Sequence, residues 1–143
     1  MKRIALGISY DGHGFSGWQS QENHSGVQDC LEKAIAQITG CGVRVHAAGR
    51  TDTGVHALGQ VIHFDTAATR PISAWVRGVN AFLPPSVRVL WAHEVAPEFH
   101  ARFSAISRSY QYLLYNAPVA SAIMHHKSGW FHLPLDVAAM QKA

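Results

Sequence analysis

Gly49-Arg50-Thr51-Asp52-Thr53-Gly54-Val55-His56-Ala57 is the stretch around which the rest of the chain is organised. Upstream of it Val43, Val45 and Ala47 alternate with Arg44, His46 and Ala48, a period of two that predicts a strand. Downstream, Val61-Ile62-His63-Phe64 predicts a second strand. The acid therefore rides on a tight connection between two strands. If the backbone stays extended through Thr51, Arg50 and Asp52 point to the same side. The guanidinium would then hold the carboxylate in its ionised form. Gly49 and Gly54 bound the pair and permit the positive φ or close backbone approach that a substrate-facing loop needs. By itself, an Arg-x-Asp pair is more often a surface ion pair closing a hairpin.

Working outward, Arg3 to Tyr10 predicts a strand with Ile4, Leu6 and Ile8 on one face. Tyr10-Asp11-Gly12-His13-Gly14-Phe15-Ser16-Gly17-Trp18-Gln19 follows, a turn-rich loop of three glycines and several rings. Ser25 and Gln28 have capping-box spacing. Val27, Cys30, Leu31, Ala34, Ile35 and Ile38 then recur at helical intervals, and Gly40 ends that helix. Pro71 opens a second helix, with Ile72, Trp75, Val76, Val79, Phe82 and Leu83 as its apolar face and Pro84-Pro85 as its stop. Val87 to Val95 predicts a strand, 97–107 a polar-aromatic connection, and Arg108 to Tyr115 a further strand. The order β-α-β-β-α-β is a ferredoxin-like, α+β arrangement: an antiparallel sheet with helices on one face. From Pro134 to Ala143 the chain reads as the opening turns of another helix. A helix that meets the end so soon suggests a chain cut short.

With 143 residues, 48% of them hydrophobic, the chain amounts to about one domain with one core. A formal charge of +3 and a pI near 9.1 favour an anionic partner. Two cysteines make no disulfide framework. Cys30 lies on a helix face and Cys41 just past its end, as expected of reduced thiols in a cytoplasmic protein. No apolar run approaches the roughly 18 residues of a membrane span. The start, Met1-Lys2-Arg3, is followed by a segment broken by Gly7, Ser9, Tyr10 and Asp11, unlike a signal peptide.

Three other chemistries fit poorly. Asp52-Thr53-Gly54 spells the aspartic-protease triplet, but an arginine paired with the acid would oppose the shared proton of a protease dyad. The ten histidines show no pairing with Cys or Glu at a zinc spacing, so no metal is expected. No glycine-rich strand-to-helix turn precedes a Lys-Ser/Thr, which excludes a nucleotide P-loop.

Gly49-Arg50-Thr51-Asp52-Thr53-Gly54-Val55-His56-Ala57 resembles the catalytic motif of the tRNA pseudouridine synthase A family. Tyr10-Asp11-Gly12 with Gly17-Trp18-Gln19 resembles that family's first loop. Gly78-Val79-Asn80 with Leu83-Pro84 resembles its second helix and exit. Phe99-His100-Ala101-Arg102-Phe103-Ser104 and Arg108-Ser109-Tyr110-Gln111-Tyr112 resemble its RNA-contacting loop and the strand after it. The resemblance implies the RRM-like half of a pseudouridine synthase catalytic fold, with residues 1–116 as an N-terminal half-domain and 117–143 as a connection into a second half. It implies an isomerase (an intramolecular transferase) that converts uridine to pseudouridine at tRNA positions 38–40 in the anticodon stem-loop. That enzyme would be cytoplasmic, need no cofactor and work as a homodimer at full length.

The chemistry fits the residues. Uracil must leave its C1′–N1 bond, turn and rejoin through carbon, so nothing is oxidised and no group is donated. One carboxylate serves this, either by attacking the nucleotide or by abstracting a sugar proton; the residues do not choose between the two. An aspartate, with a reference pKa of about 3.9, is already ionised at neutral pH. By resemblance, Asp52 is that acid and Arg50 fills the space of the flipped nucleotide. Tyr110 would lie against the uracil, since aromatic faces are what RNA-binding proteins offer splayed bases. Arg70 and the loop Phe99, His100, Ala101, Arg102 and Phe103 would contact RNA, Arg70 and Arg102 through phosphates. Family members run to about twice this length, so the chain is expected to be an incomplete enzyme. The alternative is an RNA-binding half-domain without turnover.

Overall fold

A computed structural model describes residues 1–143 and divides them into two compact units, Met1–Ser107 and Arg108–Ala143. The first unit is built on β1 (Lys2–Tyr10), α1 (Val27–Thr39), β2 (His46–Ala47), β3 (Ala57–Thr66), a π-helical turn (Ala74–Gly78) running into α2 (Val79–Ala81), and β4 (Val87–Val95). The strands form one antiparallel sheet in the order β2-β3-β1-β4. This is the expected α+β, ferredoxin-like fold.

The period-two pattern of β1 explains why it sits between β3 and β4. Ile4, Leu6 and Ile8 point to one face, where they meet Ile62 and Phe64 of β3 and Val87 and Val89 of β4. Val27, Leu31, Ala34 and Ile35 of α1, with Trp75, Val79 and Leu83 of the second helical segment, cover that face. Trp75 packs edge-on against Phe64, ring centroids 5.5 Å apart. Ile72 and Phe82, expected on the apolar face, are about half exposed. The helix is wound as a π turn at Ala74–Gly78; Trp75, Val79 and Leu83 are buried in the core and Val76 packs partly buried against it.

Two local expectations are corrected. The cap of α1 is Gly26 rather than Ser25. Asp29 Oδ2 accepts the Gly26 N–H at 3.1 Å, while the Ser25 hydroxyl is used on Ser16 and Asn23. At the other end Gly40 closes the helix as expected, in the left-handed conformation at φ 78°. The alternating segment 43–48 pairs with β3 at His46 and Ala47, and the Ala48 N–H donates to the Val61 carbonyl at 2.8 Å. The Val45 N–H donates to Glu32 Oε1 of α1 at 3.1 Å.

The opposite face of the sheet carries Arg3 and Ala5 of β1 and His63 and Asp65 of β3, which pair across the ladder. The connection after β4 is tied down here. Arg3 Nη1 donates to the carbonyls of Pro97 and Phe99, at 2.8 and 2.7 Å, while Nε and Nη2 grip Asp65. The Ala101 N–H donates to Nδ1 of His63 at 3.1 Å.

The second unit holds β5 (Leu114–Asn116) and β6 (Gly129–Phe131), paired in parallel, and α3 (Val137–Lys142), which Asp136 caps through the Ala139 N–H. The strand expected from Arg108 to Tyr115 is formed only at Leu114 and Tyr115. Alternation of aromatic and polar residues prescribes which side chains share a face but supplies no neighbouring strand. Tyr110 and Tyr112 remain 73% and 82% exposed. No helix of either unit is long and apolar enough to cross a membrane.

Candidate active site

Asp52 is exposed at the tip of the connection between β2 and β3. The chain bends at Ala48 and Gly49, then turns at Thr53 and Gly54. The Val55 N–H donates to the Asp52 carbonyl at 3.1 Å, and Gly54 has φ 82°. A closed four-residue turn with positive φ only at its third residue is a type II turn, which favours glycine there. The local sequence Asp-Thr-Gly-Val thus folds into a tight bend that displays the acid.

The loop after β1 grips this bend at both shoulders. On the near side, the hydroxyls of Tyr10 and Thr51 are 2.7 Å apart, and the Trp18 N–H donates to the Thr51 carbonyl at 3.0 Å. On the far side, Nδ1 of His56 lies 2.9 Å from the Gly12 N–H and 3.0 Å from Asp11 Oδ1. A neutral ring with a bare Nδ1 accepts from Gly12; a ring protonated there donates to Asp11. Gly12 and Gly17 allow the close approach. A Cβ on Gly12 would overlap the Val55 carbonyl oxygen, and one on Gly17, at φ 80°, would come within 2.8 Å of the Thr51 carbonyl oxygen. Tyr10 and Trp18 are buried with ring centroids 6.1 Å apart, so the grip is rooted in the core.

The residues expected to carry function are placed as follows. Arg50 is exposed beside the bend, but the ion pairs of the chain include none between Arg50 and Asp52. The expected pairing required an extended backbone through Thr51. The bends at Ala48 and Gly49 and the turn at Thr53 and Gly54 lie on either side of Arg50, Thr51 and Asp52, which carry neither a bend nor a turn. The two charges stay apart with no ion pair between them. Arg70 is exposed, and its Nε and Nη1 donate to the carbonyls of Ile38 and Thr69, at 3.1 and 3.0 Å. It thereby places positive charge at the C-terminal end of α1, where the helix dipole favours it. Tyr110 belongs to the second unit.

The loop Phe99, His100, Ala101, Arg102 and Phe103 is ordered by histidines. His63, 1% exposed, stacks on His46 and receives the edge of His100 at 4.5 Å. Burial, reinforced by the neighbouring charges of His100, Arg3 and His46, lowers the His63 pKa to about 4, so it is a neutral acceptor. His100 is likewise held below its ordinary value, first by burial and then by His46, Arg3 and Arg102. Its Nδ1 accepts the Arg102 and Phe103 N–H groups at 3.1 and 3.3 Å. Ala101 is buried, whereas Phe103 is 77% exposed with the Arg102 guanidinium 5.6 Å from its ring centre. The loop therefore presents a cation and an aromatic face together. Sequence reasoning assigned no role to Tyr10, Asp11, His56 or His63. The first three lay inside motifs already quoted, and that was the only signal available for them.

A family profile described as tRNA pseudouridine synthase matches residues 7–104. Curated relatives named tRNA pseudouridine synthase A align along the whole chain. The protein of Methylobacillus flagellatus is 67% identical over 141 residues, 99% of this chain and 54% of its own length. That of Chromobacterium violaceum is 62% identical over 142 residues, 99% of this chain and 54% of the relative. That of Thiobacillus denitrificans is 57% identical over 143 residues, with 100% and 55% covered. The chain spans about half the length of the curated relatives it matches.

Proposed function

This chain belongs to the tRNA pseudouridine synthase family, and on that premise we propose that it isomerises uridine to pseudouridine at positions 38–40 of the tRNA anticodon stem-loop. The observation that carries this reading is the exposed Asp52 at the tip of a glycine-bounded turn whose two shoulders are pegged to the loop after β1.

Asp52 acts on the flipped nucleotide, either by attacking it covalently or as the base that takes a sugar proton. The C1′–N1 bond breaks, the uracil turns, and C1′ bonds to C5. The hydrogen on C5 leaves to solvent and N1 gains one, so the atoms balance with no cofactor. Flipping the base costs a few kcal/mol of unstacking and unpairing. Arg50, exposed and outside any ion pair, fills the vacated space. Tyr110 lies against the uracil ring. Phe99, His100 and Ala101 set the loop, Arg102 meets phosphate, Phe103 offers a face to a base, and Arg70 adds a phosphate contact beyond its hold on α1. The catalytic half-domain covers residues 1–116, with 117–143 leading onward; the enzyme works in the cytoplasm as a homodimer.

The test uses tRNA tritiated at uracil C5. Tritium released by the chain should vanish in Asp52→Ala. Retention of tRNA without release would leave only an RNA-binding half. Unchanged release from Asp52→Ala would remove the acid from the mechanism.

A further inference from the structure

We infer that Tyr10, Asp11 and His56 are positioning residues that make the Tyr10-Asp11-Gly12 and Val55-His56-Ala57 motifs a single clasp, fixing where the Asp52 carboxylate sits. The inference deepens the proposed reaction and rests on Asp52 being its acid.

Only residues 52–55 lie between the two pegged positions, Thr51 and His56. That short span is itself closed by the bond from the Val55 N–H to the Asp52 carbonyl. Tyr10 ends β1, the strand flanked by β3 and β4, so its hydroxyl carries the rigidity of the sheet to Thr51. His56 stands just before β3 and reaches back to Asp11 and Gly12, the first residues after β1. The clasp thus ties both sides of the acid to one strand end. Such holding matters because displacing a reacting group by about 1 Å costs on the order of a hundredfold in rate. Either proton state of His56 keeps a bond at Nδ1, to Gly12 or to Asp11.

The choice of side chain at 56 makes the idea testable. An asparagine amide reaches the place of Nδ1 and offers either an oxygen to Gly12 or an N–H to Asp11. A glutamine amide reaches past that point, and alanine offers nothing. The 143-residue chain and its variants His56→Asn, His56→Gln, His56→Ala and Tyr10→Phe would be followed by amide hydrogen exchange. The Val55 amide should exchange about fivefold faster in the Gln, Ala and Phe variants, the loss expected of one hydrogen bond. His56→Asn should restore the wild-type rate, and the Leu6 amide in the core should not change in any of them. In tritium release from tRNA, the same three variants should lower kcat about tenfold or more at unchanged KM, again with rescue by Asn. Val55 exchange that stays at the wild-type rate, or that rises only in step with Leu6, overturns the clasp. Release that persists in Asp52→Asn, or a chain that binds tRNA without release, overturns the catalytic reading instead; the exchange rates still decide whether the clasp exists.

Discussion

The imidazole of His63 lies 19° from parallel to that of His46, ring centroids 5.0 Å apart, on the sheet face away from the helices. Its Nδ1 accepts the Ala101 N–H, which only an unprotonated nitrogen does. Burial is the main reason the ring stays neutral, helped by repulsion between its protonated form and His100, Arg3 and His46 and opposed by Asp65.

A pH dependence follows with a definite sign. The folded pKa, about 4, is depressed below the ordinary 6.5, so the folded chain refuses a proton that the unfolded chain accepts. The contribution is whole above about pH 6.5 and is lost as the pH falls toward 4. Between pH 7 and pH 4.5 this ring alone should remove about 2 kcal/mol. Urea unfolding of the wild type and of His63→Asn at those two pH values checks it. The wild type should lose about 2 kcal/mol more than the variant; equal losses would clear His63 as the source.

Gly12 and Gly54 serve the same bend for different reasons, and alanine separates them. At Gly54 a Cβ meets open space, and the cost is the positive φ, about 1 kcal/mol. At Gly12 a Cβ would run into the Val55 carbonyl, which is backbone and must move, costing about 1–3 kcal/mol. Gly12→Ala should also displace its own N–H from His56 and shift that imidazole's NMR resonances. Gly54→Ala should leave them nearly unmoved. A His56 spectrum equally disturbed by both would show that the two loops are not locked together at Gly12.

Much of this architecture is legible in local pattern. The alternation of Ile4, Leu6 and Ile8 and the helical spacing of Val27, Leu31, Ala34 and Ile35 each reflect a neighbour that the element must bury against, and each is buried so. Patterns fail where a side chain takes a backbone N–H: Asp29 holds that of Gly26 and sets the cap of α1 there, and Glu32 of α1 holds that of Val45. They fail again from 108 to 113, where alternation has no partner strand to act on. In the candidate site, glycines around Asp52 announce an exposed bend. The pegs are invisible because Tyr10–Thr51 and Gly12–His56 join residues 41 and 44 positions apart, a separation on which no periodicity reports. Arg70 holds two carbonyls, of Ile38 and Thr69, which no sequence pattern announces.

Arg3 gives a third prediction. Its guanidinium joins Asp65 of β3 to the carbonyls of Pro97 and Phe99, anchoring the loop that carries Arg102 and Phe103. Arg3→Met keeps most of the apolar stem and deletes every one of those bonds. Limited trypsin digestion should then cut after Arg102 about fivefold or more faster, as expected when one or more hydrogen bonds stop holding a loop. Cleavage at the wild-type rate would assign the anchoring to His63 and His100 alone.

The last prediction separates what Asp52 does for the fold from what it does for the reaction. Its carboxylate is exposed and joins none of the ion pairs, so burial and pairing give the fold no hold on it. The turn is closed by its backbone carbonyl, which any residue supplies. Asp52→Asn should therefore leave the unfolding free energy within about 0.5 kcal/mol of wild type, as for surface substitutions away from structural features. Tritium release should vanish in the same protein. Thermal unfolding and the release assay on one preparation give both answers. A large loss of stability would mean that the side chain serves the turn, and the missing release would then say nothing about chemistry. Full stability with no release leaves the acid only its reaction to explain it.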